Sequence, residues 1–179
     1  MIMKPGLRKF ALTAHVASSV GWLGAVVVFL ALAAVGLTSD DGQTVRGAYL
    51  VMEAAAWFAL VPFAFASLLT GLAQSLGTTW GLFRHYWVLF KLVINVFSTI
   101  VLLTYMQTFS SMAEVAGDPG TDLGVVRNPS PLLHSLVALL LLLAATTLAV
   151  YKPRGVTPYG RRKQDEQRRE QRERSAPAA

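Results

Sequence analysis

The chain has 179 residues, 54% of them hydrophobic and 15% charged, with a mean hydropathy of +0.48 and a formal charge of +6. Charged residues make up about a quarter of an ordinary soluble domain, so this balance excludes one and indicates an integral membrane protein. With no cysteine in the sequence, disulfides, thiolate ligands and a cysteine nucleophile are excluded as well.

Four apolar segments can be drawn, at 11–37, 48–76, 86–112 and 132–151. A helix rises about 1.5 Å per residue and a hydrocarbon core is roughly 30 Å thick, so each can cross, and the longer ones tilt, kink or protrude. The pattern predicts an all-α fold, a polytopic membrane four-helix bundle over residues 1–151 with a charged tail, 152–179, helical or disordered. Lys4, Arg8 and Lys9 precede the first segment, Arg84 lies in the second connection, and the first and third connections carry only Arg46 and Arg127. Short-loop lysines and arginines collect on the inner side, which places both termini in the cytoplasm.

The first segment starts from a basic end, and Ala31, Ala33 and Ala34 resemble a signal-peptidase site. Its apolar stretch far exceeds a secretory h-region of about 7–15 residues, so a retained span is expected. Within it His15, Ser18, Ser19 and Trp22 recur at helical spacing and form one polar stripe. Such a stripe is costly against lipid and is expected to face other helices. Ser39 and Asp40 are expected as turn or cap residues before the second segment.

In the second segment Glu53, Trp57, Ala64, Ser67, Gly71 and Gln74 share a face. Pro62 lacks a backbone donor and is expected to kink the helix near its middle. Gly71 and Ser75 make a pair of small residues four apart, which permits close helix approach. Glu53 is ionisable at membrane depth, a functional residue or a packing one held protonated or paired. The third segment opens among Trp80, Phe83, Arg84, Tyr86 and Trp87, the composition of an interfacial aromatic belt. Lys91 lies five residues deeper on a face shared with Trp87, Asn95, Ser98 and Tyr105. It either snorkels to the headgroups or serves a site at the depth of His15.

The connection 110–131 is rich in Gly, Pro, Asp and Ser and is expected to be irregular and mobile. Glu114, Asp118 and Asp122 match no EF-hand spacing, so solvated acids are expected rather than a calcium site. His134 near the start of the fourth segment approaches Glu53 from the same side, which suggests a pairing. Nine of the sixteen lysines and arginines lie in 152–174 with four acids among them. The pairs Asp165 with Arg169 and Glu170 with Arg174 support a solvated helix with no apolar face. Its charge suits anionic headgroups, and the absence of a nucleic-acid motif argues against RNA or DNA as a partner.

The strings HVASSVGWLG and HYWVLFKL resemble an uncharacterised family of small four-helix bacterial integral membrane proteins, over residues 7–112. The pattern of a histidine seven residues before a tryptophan, then a tryptophan four before a lysine, is also similar to copper-resistance D type domains. It is similar too to the small membrane haem-binding protoporphyrinogen oxidase, although Ala25 follows Gly24 where a glycine pair is expected. That resemblance implies a bacterial plasma (inner) membrane location and a haem b or porphyrin with a redox role, His15 serving as haem-iron ligand and Lys91 as its partner. Trp22, Trp87 and Phe63 would wall the pocket, Ala64 and Gly71 would leave room, and Arg8, Lys9 and Arg84 would lie near the propionates. His85 competes with Lys91 as the second ligand, and His85 and His134, at opposite faces, cannot pair across one haem. Copper fits less well because no methionine clusters with a histidine. No nucleophile elbow, HExxH or phosphate loop appears, and four spans would need a homo-oligomer to form a transport pathway. The alternative is a non-catalytic protein whose stripes serve helix packing and partner binding.

Overall fold

A computed structural model of the chain describes residues 3–78 and 81–175. Trp80, expected in the aromatic belt, and the side chain of Arg174, expected beside Glu170, lie outside the described residues. The elements in chain order are α1 Pro5–Thr38, α2 Gly42–Ala55, a π-helical segment Ala56–Leu60, α3 Val61–Gly77, α4 Tyr86–Gly117, α5 Leu123–Val126, α6 Ser130–Tyr151 and α7 Pro158–Ser175. Four helical stretches, Pro5–Thr38, Gly42–Gly77, Tyr86–Gly117 and Leu123–Tyr151, are long and apolar enough to cross a membrane. They extend beyond the apolar segments because polar residues such as Gln43, Thr44, Glu114 and Ser130 continue the helices outside the hydrophobic stretch.

The break expected at Pro62 takes the form of the π-helical turn just before it. Proline cannot donate to the carbonyl four residues back and its ring presses on that carbonyl. Widening the preceding turn relieves this, and the Val61 N–H reaches Ala56 O five residues back. Broken helix α2–α3 packs on α1 on one side and on α4 on the other, while α6 closes the ring by packing on α1 and α4. Helices α1 and α4 therefore stand diagonally across the bundle. Their rings meet between them, Phe29 against Phe109 edge to face with centroids 5.3 Å apart. Trp22, Phe29, Tyr49, Met52, Met106 and Phe109 form the buried core.

At one end, Asp41 rather than Asp40 caps α2, its carboxylate accepting from Thr44 N–H at 2.9 Å and Thr44 Oγ1–H at 2.5 Å. Ser39 Oγ accepts from the Asp41 N–H at 3.2 Å. The threonine three residues on supplies both donors, a spacing Asp40 lacks. The connection 118–129 is tied down at several points, contrary to the mobility expected of its composition. The Arg46 guanidinium donates to Ala116 O at 3.1 Å, to Asp118 O at 2.6 Å and to Thr121 O, capping the carboxyl end of α4 with positive charge. Tyr49 Oη donates to Asn128 O and accepts its N–H, and Arg127 donates to Ser39 O at 2.7 Å. Asp118 and Asp122 cap turns, and among the described residues no group of His, Cys, Asp or Glu is placed to hold a metal ion.

At the other end Lys152 takes a left-handed conformation, φ 43°, which terminates α6 ahead of Pro153. The chain then turns back onto the connection before α4. Val156 bridges His85, the Tyr86 N–H reaches Gly155 O at 3.2 Å, and the Thr157 N–H reaches Arg84 O at 3.0 Å. Thr157 Oγ1 donates to Phe83 O at 2.5 Å and accepts from the Gly160 N–H at 3.1 Å, capping α7. Gly160 lies against Arg84 O so closely that any Cβ would collide with it. The tail is thus anchored by its first turn. Beyond it, the ion pair among the described residues is Lys163 with Glu166 at 2.6 Å, not Asp165 with Arg169.

Candidate functional site

The polar stripes of α1 and α3 meet face to face. His15 Nδ1 lies 3.2 Å from Ser67 O and 3.1 Å from Thr70 Oγ1. A carbonyl only accepts, so Nδ1 carries a proton, and in the neutral form of the ring the lone pair is on Nε2. Thr70 Oγ1 donates to Ala66 O at 2.5 Å and so can accept from the imidazole. Ser18 donates to His15 O at 3.1 Å, and Ser19 and Ser67 share a 2.8 Å bond. Gly71 lets the imidazole approach: a Cβ there would stand 3.0 Å from His15 Cε1. The small residue read as a packing device is the seat of the histidine.

His15 and Lys91, seventy-six positions apart in sequence, line one cavity of about 100 Å³ between α1, α3 and α4. Gln74, Ser75, Thr78, Trp87 and Asn95 share its wall. Lys91 Nζ sits 5.6 Å from the centre of the Trp87 ring, a cation–π distance that steers the long side chain back along α4. Asn95 Nδ2 is used by Lys91 O at 2.8 Å. Gln74 Nε2 is buried with no hydrogen-bond partner. The lining contains no aspartate or glutamate. An unmade buried hydrogen bond costs about 1–3 kcal/mol, so this donor is an incomplete interaction.

A second cavity, about 310 Å³, lies farther along the same diagonal and is closed by α6. Trp22, expected beside His15, lines this cavity instead, together with Phe29, Phe97, Tyr105, Phe109 and His134. Seven residues along a helix amount to about 10 Å, which carries Trp22 past the polar layer. Ser98 and Tyr105, on the Lys91 stripe, also belong here, and buried Ser98 Oγ has no partner. His134 is exposed, donates from Nδ1 to Ser130 O at 2.9 Å and stacks on Tyr105 with centroids 4.1 Å apart. No hydrogen bond or ion pair among the described residues joins it to Glu53, which is half-buried on α2. His85 stands at the tail-docked turn, its ring 6.4 Å from that of Trp87, outside the lining of either cavity. Phe63 covers Gly21, and Ala64 is core.

The donor set suits one axial ligand of a haem, since Nδ1–H held by a carbonyl is how ligating imidazoles are oriented. The space does not suit the macrocycle: about 100 Å³ is well below the roughly 300–1,000 Å³ of pockets for molecules of that size. Thr70 and the tail dock escaped the sequence reading. Thr70 lies three residues after Ser67 on the same face, and Thr157–Pro158 is a helix start signal, so both were readable from spacing. No family model matches the sequence, and no curated protein or solved structure matches it either.

Proposed function

We propose that this chain is a multi-pass protein of a bacterial plasma membrane, with both termini cytoplasmic, that binds a small oxyanion between α1, α3 and α4. One observation carries the reading: Lys91 and Gln74, whose buried Nε2 has no partner, line one cavity with no carboxylate among its walls. An ionisable group at membrane depth without an acid partner is a functional candidate, and an anion supplies the acceptors these donors lack. A hydroxyl-bearing oxyanion, such as bicarbonate or dihydrogen phosphate, would in addition donate to the lone pair of His15 Nε2. The room, about 100 Å³, is less than the ~150 Å³ that accommodates benzene, which favours a ligand of a few heavy atoms. Arg8, Lys9 and Arg84 lie at the same end of the bundle and would raise the local anion concentration.

Calorimetric titration of the protein in nanodiscs with bicarbonate, acetate and phosphate tests this. Saturable binding of one of them is expected, weakened about tenfold or more in Lys91→Met and in Gln74→Leu, since a hydrogen bond to a charged group is worth about 1.5–3 kcal/mol. Absence of saturable binding, or binding unchanged in both variants, would return the stripes to helix packing and partner binding. A haem or porphyrin with a redox role is the second reading, favoured by the proton on His15 Nδ1 and opposed by the volume. A Soret band in protein expressed with haem supply, lost in His15→Ala, would reinstate it.

A further inference from the structure

The apolar cavity carries an inference independent of the polar one. Its volume, about 310 Å³, is twice the ~150 Å³ that holds a benzene ring. Trp22, Phe29 and Phe109 form its floor, with Tyr105 set edge to face on Phe109 at 4.9 Å. Phe97 on α4 and Leu133 and Val137 on α6 also line it and yet stay 55%, 60% and 55% exposed. The cavity therefore opens sideways between α4 and α6, through apolar residues facing the bilayer.

One residue of its wall, Ser98, departs from a pattern common along these helices. Hydroxyls along these helices turn back to a carbonyl three or four residues earlier: Thr70, Ser75, Thr99, Thr104, Ser111 and Thr146 all do so. Ser98 Oγ is buried with no partner. A water in this place would need two to four polar neighbours, and the lining is mostly apolar, its other hydroxyl and imidazole groups being Ser135 and the Tyr105 and His134 already bonded to Ser130. A lipid acyl chain would fill space but leave the hydroxyl unpaired. Aromatic walls, the volume of two fused rings and the unpartnered Ser98 hydroxyl together describe a different occupant.

We propose that this cavity binds a flat, lipid-soluble ring compound bearing a carbonyl, of the quinone class, which enters from the bilayer between α4 and α6 and accepts a hydrogen bond from Ser98. The floor aromatics supply stacking, and the serine sets the orientation of the ring.

The test uses the full chain in nanodiscs and two probes of one shape, 2-methyl-1,4-naphthoquinone and 2-methylnaphthalene. Equilibrium binding is measured for the native protein, Ser98→Ala and Ala138→Phe, the last placing a ring in the cavity. Ser98→Ala is expected to weaken the quinone about fivefold, the value of one hydrogen bond, and to leave the hydrocarbon unchanged. Ala138→Phe is expected to abolish saturable binding of both. Equal effects of Ser98→Ala on the two probes, no effect on either, or no saturable binding to the native protein would overturn the proposal. Retention of both probes by a folded Ala138→Phe protein would show partition into the bilayer or an acyl-chain site, and would overturn it as well.

Discussion

The two cavities share their long walls, α1 and α4, and differ in what closes them. Helix α3 brings Ser67, Gly71, Gln74 and Ser75 to the first, and α6 brings Leu133, Val137, Ala138 and Leu141 to the second. A single stripe on α4 thus serves two chemistries, with Lys91 and Asn95 in the polar cavity and Ser98 and Tyr105 in the apolar one. Three buried side-chain atoms lack partners among the described residues, and two of them, Gln74 Nε2 and Ser98 Oγ, belong to residues that line one cavity each. Elsewhere within the helices, polar groups close on neighbours, as Ser19 does on Ser67. The third, Arg127 Nε, lies in the connection before α6, so within the long helices the buried orphans mark these two places.

The most forceful way to break this contrast is Trp22→Ala. Trp22 is 3% exposed, and losing such a side chain from a packed interior costs about 3–5 kcal/mol. The loss should appear as reduced stability in mixed-micelle unfolding and as a larger apolar cavity, with anion binding at Lys91 retained. Next in size is Gly160→Val, which forces a side chain against Arg84 O and undoes the docked turn beside α4. Overpacking of this kind costs about 1–3 kcal/mol, so trypsin should cut near Arg161 and Arg162 about tenfold faster, a change read directly by timed proteolysis.

A smaller pair of substitutions sharpens the difference between made and unmade bonds. Ser67→Ala strands Ser19 Oγ, 2.8 Å away, and should cost about 1 kcal/mol, whereas Ser98→Ala removes an orphan and should be neutral or slightly stabilising. Equal losses in the same unfolding assay would mean that Ser98 has a partner. The least effect belongs to Asp41, outside both cavities. The Thr44 hydroxyl and N–H hold its carboxyl below the ordinary 3.8. Its contribution to stability is complete above that ordinary value and disappears as the pH falls through the lowered one. Asp41→Asn should therefore lose stability at neutral pH and equal the native protein in strong acid, seen as converging unfolding midpoints.

The number of apolar helices and their approximate bounds were legible in the sequence because composition and the helical period carry them, whereas Trp57, read onto the face of Ala64 and Ser67, stands 53% exposed in the π-helical turn. The meeting of His15 with Lys91 followed from equal depth. What depth cannot convey is which of four helices stands opposite. The stripe on α1 therefore looked like one site although Trp22 belongs to another, and Glu53 looked like the partner of His134 although Tyr105 and Ser130 hold that ring. The width of the space between helices is set by side chains from three helices at once, as where Phe63 fills the notch at Gly21, and no local pattern encodes it. Arg46 ordered a loop whose own composition reads as mobile, because its partners are backbone carbonyls.

The most direct measurement is a crossed binding experiment on two variants. Anion binding and naphthoquinone binding are each titrated against the native protein, Lys91→Met and Ser98→Ala in nanodiscs. Two separate cavities predict that Lys91→Met loses the anion about tenfold and keeps the quinone, while Ser98→Ala weakens the quinone about fivefold and keeps the anion. Loss of both ligands in either variant, or of neither in both, would contradict the account.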